Sequence, residues 1–228
     1  MTELWEGFTK AIELIVSLDP EVMQIAGRSL AIAATSCIIA TLIAIPLGSV
    51  IQFNSFRGKR LLVNIIQTLY SVPTVVIGLF VFAFLSRAGP LGSLGFLFTP
   101  AAIVIGQVLL VLPIMMGLTI SALRGVDVTL TDTAISLGAN RFQTAFLVIR
   151  EARFAMLGAV TMGFGRAISE VGISLMVGGN ISGVTRTLTT AISLETSKGY
   201  IELSLALGMI LLFIALVVNI ILNRLQQR

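Results

Sequence analysis

The sequence predicts an all-α integral membrane protein with five transmembrane helices. First, 56% of its 228 residues are hydrophobic and only 11% are charged, against roughly a quarter charged in a soluble domain. Second, the charges cluster and leave long uncharged runs between them, and the mean hydropathy is +1.02. Too little polar surface exists to coat a globule in water, which excludes a cytosolic enzyme, a secreted disulfide scaffold and a disordered chain. Third, there is no histidine and a single cysteine, Cys37. That removes imidazole metal centres, Ser-His-Asp triads and an internal disulfide, so no catalytic or metal-binding set is assigned.

Residues 1–24 are expected to form an external amphipathic segment. Leu4, Phe8, Ile12 and Ile15 share one helical face, while Glu6, Lys10, Glu13 and Ser17 share the other. Such a helix lies on the outer membrane surface with Trp5 near the headgroups. Glu3 and Glu6 stand where a signal peptide needs basic residues. Residues 25–228 are expected to form one transmembrane domain. Each of its spans, near 27–51, 61–85, 101–123, 155–178 and 203–223, can cross a hydrocarbon core about 30 Å thick. The first, second, third and fifth carry no charge beyond their ends, and only the fourth is interrupted, by Arg166 and Glu170. Pro73 is expected to bend the second span toward a cavity, and Pro46 and Pro113 to kink the first and third spans likewise.

Basic residues gather on the cytoplasmic side. Arg57, Lys59 and Arg60 follow the first span; Arg124, Arg141, Arg150 and Arg153 follow the third; Arg224 and Arg228 follow the fifth. The other side holds Lys10, Arg28, Arg87, Arg186 and Lys198 among most of the acids. The bias places the N-terminus outside and the C-terminus in the cytoplasm. It also accounts for the pI of about 9.8 without a nucleic-acid partner.

The cytoplasmic loop 124–153 is long for so small a membrane protein. Thr131 is expected to cap a short helix through Leu137, Gly138 to stop it in the left-handed region, and a second helix to carry Phe142, Phe146 and Ile149 on one face. Such a knob either conveys force from a soluble partner or is an ordinary surface loop. The run Asp132-Thr133-Ala134-Ile-Ser136-Leu137-Gly138, followed by Arg141, resembles the glycine half of the cytoplasmic signature of ABC importer permeases. The terminal half departs, because Arg150-Glu151 stand where Leu-Pro is expected. Ser71-Val72-Pro73-Thr74-Val75-Val76-Ile77-Gly78 is similar to a region of the molybdate- and tungstate-type permeases. So are Gly163-Phe-Gly-Arg166-Ala-Ile-Ser169-Glu170-Val-Gly172 and Met176-Val-Gly-Gly-Asn180. Thr185-Arg186-Thr187-Leu-Thr189-Thr190 and Arg150-Glu-Ala-Arg153 look most like the tungstate branch.

The resemblance covers about residues 25–224. It implies a type I permease fold in a prokaryotic cell membrane, working as a homodimer. It also implies two cytoplasmic ATPases coupled through Asp132–Gly138 and an external binding protein that delivers the oxyanion. Tungstate is the first choice, molybdate the second and sulfate the third. No phosphate-binding Gly-x-x-x-x-Gly-Lys-Ser/Thr loop occurs in the chain, so ATP and Mg would be held by the partner ATPase. The alternative is an ATPase-independent channel or ion-coupled carrier.

Arg166 and Glu170, four residues apart, lie on one helical face and can neutralise each other. Either they stand beside the translocation path or they fix packing around Gly163, Gly165 and Gly172. Pro73, Thr74 and Ser169 are candidates for the path or its gate, since neutral donors can pass an oxyanion along. Asn180, Arg186, Thr187, Thr189 and Thr190, in the external loop 179–202, are candidates for the outer mouth or for contact with the binding protein.

Overall fold

A row of small side chains organises the centre of the molecule. Helix α2, Pro20–Phe53, buries Ala33, Cys37, Ala40 and Ala44 against Ile103, Leu110 and Val111 of α5, Pro100–Arg124. Small residues let two helix backbones approach closely, which is the main packing device where solvent supplies no hydrophobic drive. The computed structural model describes residues 2–226, and within them every regular element is helical. Arg228 and the side chain of Leu4 lie outside the described residues.

Helix α1, Thr2–Val16, leads into α2 through a turn in which Asp19 accepts the Val22 N–H at 3.0 Å and Pro20 occupies the first helical turn. This is a strong start signal. At 34 residues, α2 is about 50 Å long, more than a bilayer core requires. Both α2 and α5 continue through Pro46 and Pro113 without a break.

Helix α1 packs on the protein through its small side chains. Its buried face is Gly7, Ala11 and Leu14, seated on α11 (Ile201–Gln226), whereas Trp5, Phe8 and Ile12 point outward. A Cβ at Gly7 would come within 2.7 Å of the Leu205 Cβ. The small residues, which a hydrophobicity pattern ignores, select the contact face by allowing the closer approach.

Residues 61–85 bend at Pro73, as expected, and more sharply than a kink. They form two helices, α3 (Lys59–Thr68) and α4 (Thr74–Leu85), which meet at 98° across a 3-10 turn. Pro73 lacks an N–H and holds Val72 extended, with ψ at 128°, so the helix cannot run through. The fourth apolar segment is likewise α8 (Arg153–Ile168) and α9 (Gly172–Gly178), bent by 57°. Three helices, α2, α5 and α11, are each long and apolar enough to cross a membrane, and there are up to five crossings if each bent pair is one.

The cytoplasmic loop of the sequence expectation becomes helices α6 (Val128–Ser136) and α7 (Arg141–Glu151). Helix α10, Leu188–Ser197, packs beside α11.

Candidate functional site

The break between α8 and α9 is held by one carboxylate. Glu170 is 2% exposed, and its two oxygens do different work. Oε1 accepts the Ile173 N–H at 3.0 Å, capping the short α9, and Oε2 lies 3.2 Å from Arg166 Nη1. The Glu170 backbone carbonyl accepts the Thr189 hydroxyl at 2.8 Å. The Arg166 side chain is 38% exposed, so the pair presents one buried anion behind one accessible cation.

The other bent segment meets this break. A Cβ at Gly172 would lie 2.9 Å from Thr74 Oγ1 and 3.4 Å from Glu170 Oε1. The glycine is therefore what lets the start of α4 reach the start of α9. Thr74 opens α4 behind Pro73, and both stand at the bend with Arg166 and Glu170 close by. The Ser169 hydroxyl donates to the Gly165 and Arg166 carbonyls at 2.9 and 3.2 Å, so it is engaged by its own helix.

The segment 179–202 is folded back into the molecule. Thr187 and Thr190 cap α10 reciprocally, and Thr187, Thr189 and Thr190 are all buried. Their hydroxyls hold the segment's shape. Asn180 adopts a left-handed backbone with φ of 50° and donates to the Thr190 carbonyl at 3.4 Å. Arg186 reaches Glu21 at 3.5 Å.

The third region is the α6–α7 knob. Asp127, rather than the expected Thr131, caps α6 by accepting the Thr129 N–H at 2.9 Å. An aspartate is the better cap, and the helix starts one turn earlier. The exposed Asp127 carboxyl is held below its ordinary value by that N–H and by the Thr129 hydroxyl.

Gly138, at φ 86°, ends α6 as expected. Its N–H donates to the Ile135 carbonyl at 2.9 Å and the Ala139 N–H donates to that of Ala134 at 3.0 Å, the paired bonds of a glycine-terminated helix. Asn140 and Gln143 form a capping box on α7. Leu123, Val148, Ala152 and Met156 anchor the base of the knob.

Asp132, Thr133, Ser136, Leu137, Gly138 and Arg141 are exposed, and Ala134 is turned inward. Leu137 and Phe142 are 83% and 88% exposed, with Val128, Ile135 and Phe146 also outward. An apolar surface of this kind marks an interaction site.

Comparison with known proteins gives the family of the chain. The model of the family described as "Binding-protein-dependent transport system inner membrane component" matches residues 30–228. The chain belongs to this family. It is thus a multi-pass membrane component of an ABC transporter.

This permease is 41% identical, over 227 residues and the full length of both chains, to the tungstate uptake system permease protein of Peptoclostridium acidaminophilum. It is 37% identical to the protein of the same name from Campylobacter jejuni, covering 98% of this chain and 94% of that one. The fold matches a chain in the crystal structure of a bacterial alginate ABC transporter in complex with alginate pentasaccharide-bound periplasmic protein. There the TM-score is 0.76 at 17% identity, covering 100% of the permease and 87% of that chain.

Two polar features of the permease escaped the sequence pattern. Gln107 donates to the Ala167 carbonyl at 3.0 Å and receives Ser36 Oγ at 3.0 Å, joining α2, α5 and α8 beside the break. A glutamine in the middle of a charge-free span was the available signal. Arg28 donates to the Gly183 and Arg186 carbonyls at 2.7 and 3.1 Å, fastening the segment 179–202 to α2.

Proposed function

We propose that the chain is the permease of an ATP-driven tungstate importer, with molybdate the next substrate and sulfate the third. The observation that carries this is 41% identity, end to end, to a protein named for tungstate uptake. In this reading residues 25–228 form one domain crossing the membrane five times, with the N-terminus and residues 1–24 outside and the C-terminus in the cytoplasm. Two copies form the path between them. Two ATPases carry the ATP and Mg, an external protein delivers the oxyanion, and this chain itself catalyses no reaction.

Asp132, Thr133, Ala134, Ser136, Leu137, Gly138 and Arg141 couple the permease to the ATPase. The capped knob supports this role, because a rigid pair of helices with outward apolar residues can seat in a partner and transmit its movement. ATP binding draws the ATPases together and opens the permease outward, and hydrolysis resets it.

Pro73, Thr74, Arg166, Ser169 and Glu170 mark the path or its gate, where two bent segments meet and can re-angle. Glu170 offsets the charge of Arg166, which keeps a passing dianion from being held too tightly to leave. Asn180, Arg186, Thr187, Thr189 and Thr190 shape the outer mouth, the threonines acting through the fold of the segment. Uptake of labelled tungstate by cells carrying the whole transporter tests the substrate assignment. Excess tungstate should compete best, molybdate less and sulfate least; competition led by sulfate would overturn it.

A further inference from the structure

A basic cavity of about 650 Å³ opens where α2 and α5 end and α3 begins. Lys59, Arg60 and Arg124 line it together with the polar Ser55, Asn64 and Gln67, and no acidic residue takes part. Among the described residues none of the three cations is within ion-pair distance of a carboxylate. Lys59 is steered by the Gln52 carbonyl, to which its Nζ donates at 2.7 Å. Three unneutralised cations around one cavity make a site for a compact anion bearing several oxygens.

Helix α3 also says where that anion is attached. Arg60, Asn64 and Gln67 face the cavity, Val63 and Ile66 are buried against Ile51 and Ile120, and Leu61, Ile65 and Leu69 form an exposed apolar stripe. Phe53 and Phe56 add exposed rings at the same end. A free oxyanion makes no use of that apolar border. A phospholipid uses both parts, its phosphate in the cavity and its acyl chain along the stripe. Basic pockets between helices at the cytoplasmic face are a recurring setting for anionic headgroups.

We infer that this cavity binds the phosphate of an anionic phospholipid, which fastens α3 and the bend that follows it to the ends of α2 and α5. Its assignment to the inner leaflet rests on the orientation proposed above.

Native mass spectrometry of the complete detergent-purified transporter tests the site. Delipidated samples are offered phosphatidylglycerol, phosphatidylcholine or inorganic phosphate. Phosphatidylglycerol should be retained over phosphatidylcholine, and inorganic phosphate should not displace it. Arg60→Gln with Arg124→Gln should lower retention by on the order of tenfold, while Arg60→Lys with Arg124→Lys should keep most of it. If the double glutamine variant does not assemble, Arg124→Gln alone, at an exposed position, makes the same comparison. Equal retention by wild type and the glutamine variant, or equal retention of both lipids, overturns the proposal. Displacement by inorganic phosphate overturns the lipid as occupant in favour of a free anion.

Orientation is read separately, by labelling Arg57→Cys with an impermeant maleimide in intact cells, the native Cys37 being buried. Labelling from outside would overturn the orientation and leave the lipid-retention result standing.

Discussion

Glu170 shows how a buried charge becomes a structural part. One of its oxygens replaces a missing backbone acceptor at the start of α9 and the other meets Arg166. Arg166→Leu leaves that carboxylate without its cation, and breaking such a pair costs up to about 3 kcal/mol. Replacing both residues with leucine removes the unpaired charge and is expected to be milder, as read by thermal unfolding of the purified permease. A double variant clearly worse than the single one would contradict mutual neutralisation. Glu170→Gln should be the mildest change at position 170, because its side-chain oxygen can still accept the Ile173 N–H. Spacing alone made the Arg166–Glu170 pair legible. The cap on Ile173 was not, since it exists only because the helix breaks there. Gly138 gives the complementary case. A Cβ there would meet nothing within 4 Å, so the cost of a side chain comes from φ, about 1–2 kcal/mol for most residues and less for asparagine. Gly138→Asn should therefore retain more uptake than Gly138→Asp or Gly138→Ala. All three should remain in the membrane, with ATP hydrolysis uncoupled from uptake in the aspartate variant. Uptake unchanged in Gly138→Asp would count against the coupling assignment.

Among the elements, those set by local chemistry were the readable ones. Helices α2, α5 and α11 follow from long charge-free runs, and the end of α6 follows from one glycine. Bends were harder to read. Pro73 announces a disturbance in the second apolar segment, but a proline that kinks a helix and one that separates two helices look alike in sequence. The 98° angle between α3 and α4 depends on packing with α5 and α9, which no local pattern contains. The face of α1 was missed for a related reason: Gly7 and Ala11 score as weakly apolar, yet their small size decides which side can approach α11. The α6–α7 knob gives the element-scale prediction. Leu137→Ser with Phe142→Ser changes two exposed side chains, so stability should shift by no more than about 0.5 kcal/mol. Co-purification of the ATPase should fall by on the order of tenfold or more, since a buried Phe or Leu contributes roughly 1.5–3 kcal/mol. Retention of the ATPase at wild-type levels would show that the apolar surface of the knob serves another contact.

At the scale of the molecule, the proposed function is mechanical. The described residues place at its centre two bent helix pairs and a polar tie through Gln107, with the α6–α7 knob beyond them. Small-residue packing between α2 and α5 supplies a firm frame against which the bent pairs can re-angle. In the proposed reading, movement of the knob reaches the meeting point of Thr74 and Gly172. In the proposed reading the work comes from the ATPase, and that dependence is the central claim. It is measured most directly in sealed vesicles holding the permease with its ATPase, with the binding protein and labelled tungstate on the external side. Tungstate should accumulate against its gradient when ATP and Mg reach the ATPase, and accumulation should stop when ATP is withheld or the ATPase is removed. Accumulation that persists without the ATPase would contradict the account and establish a channel or ion-driven carrier instead.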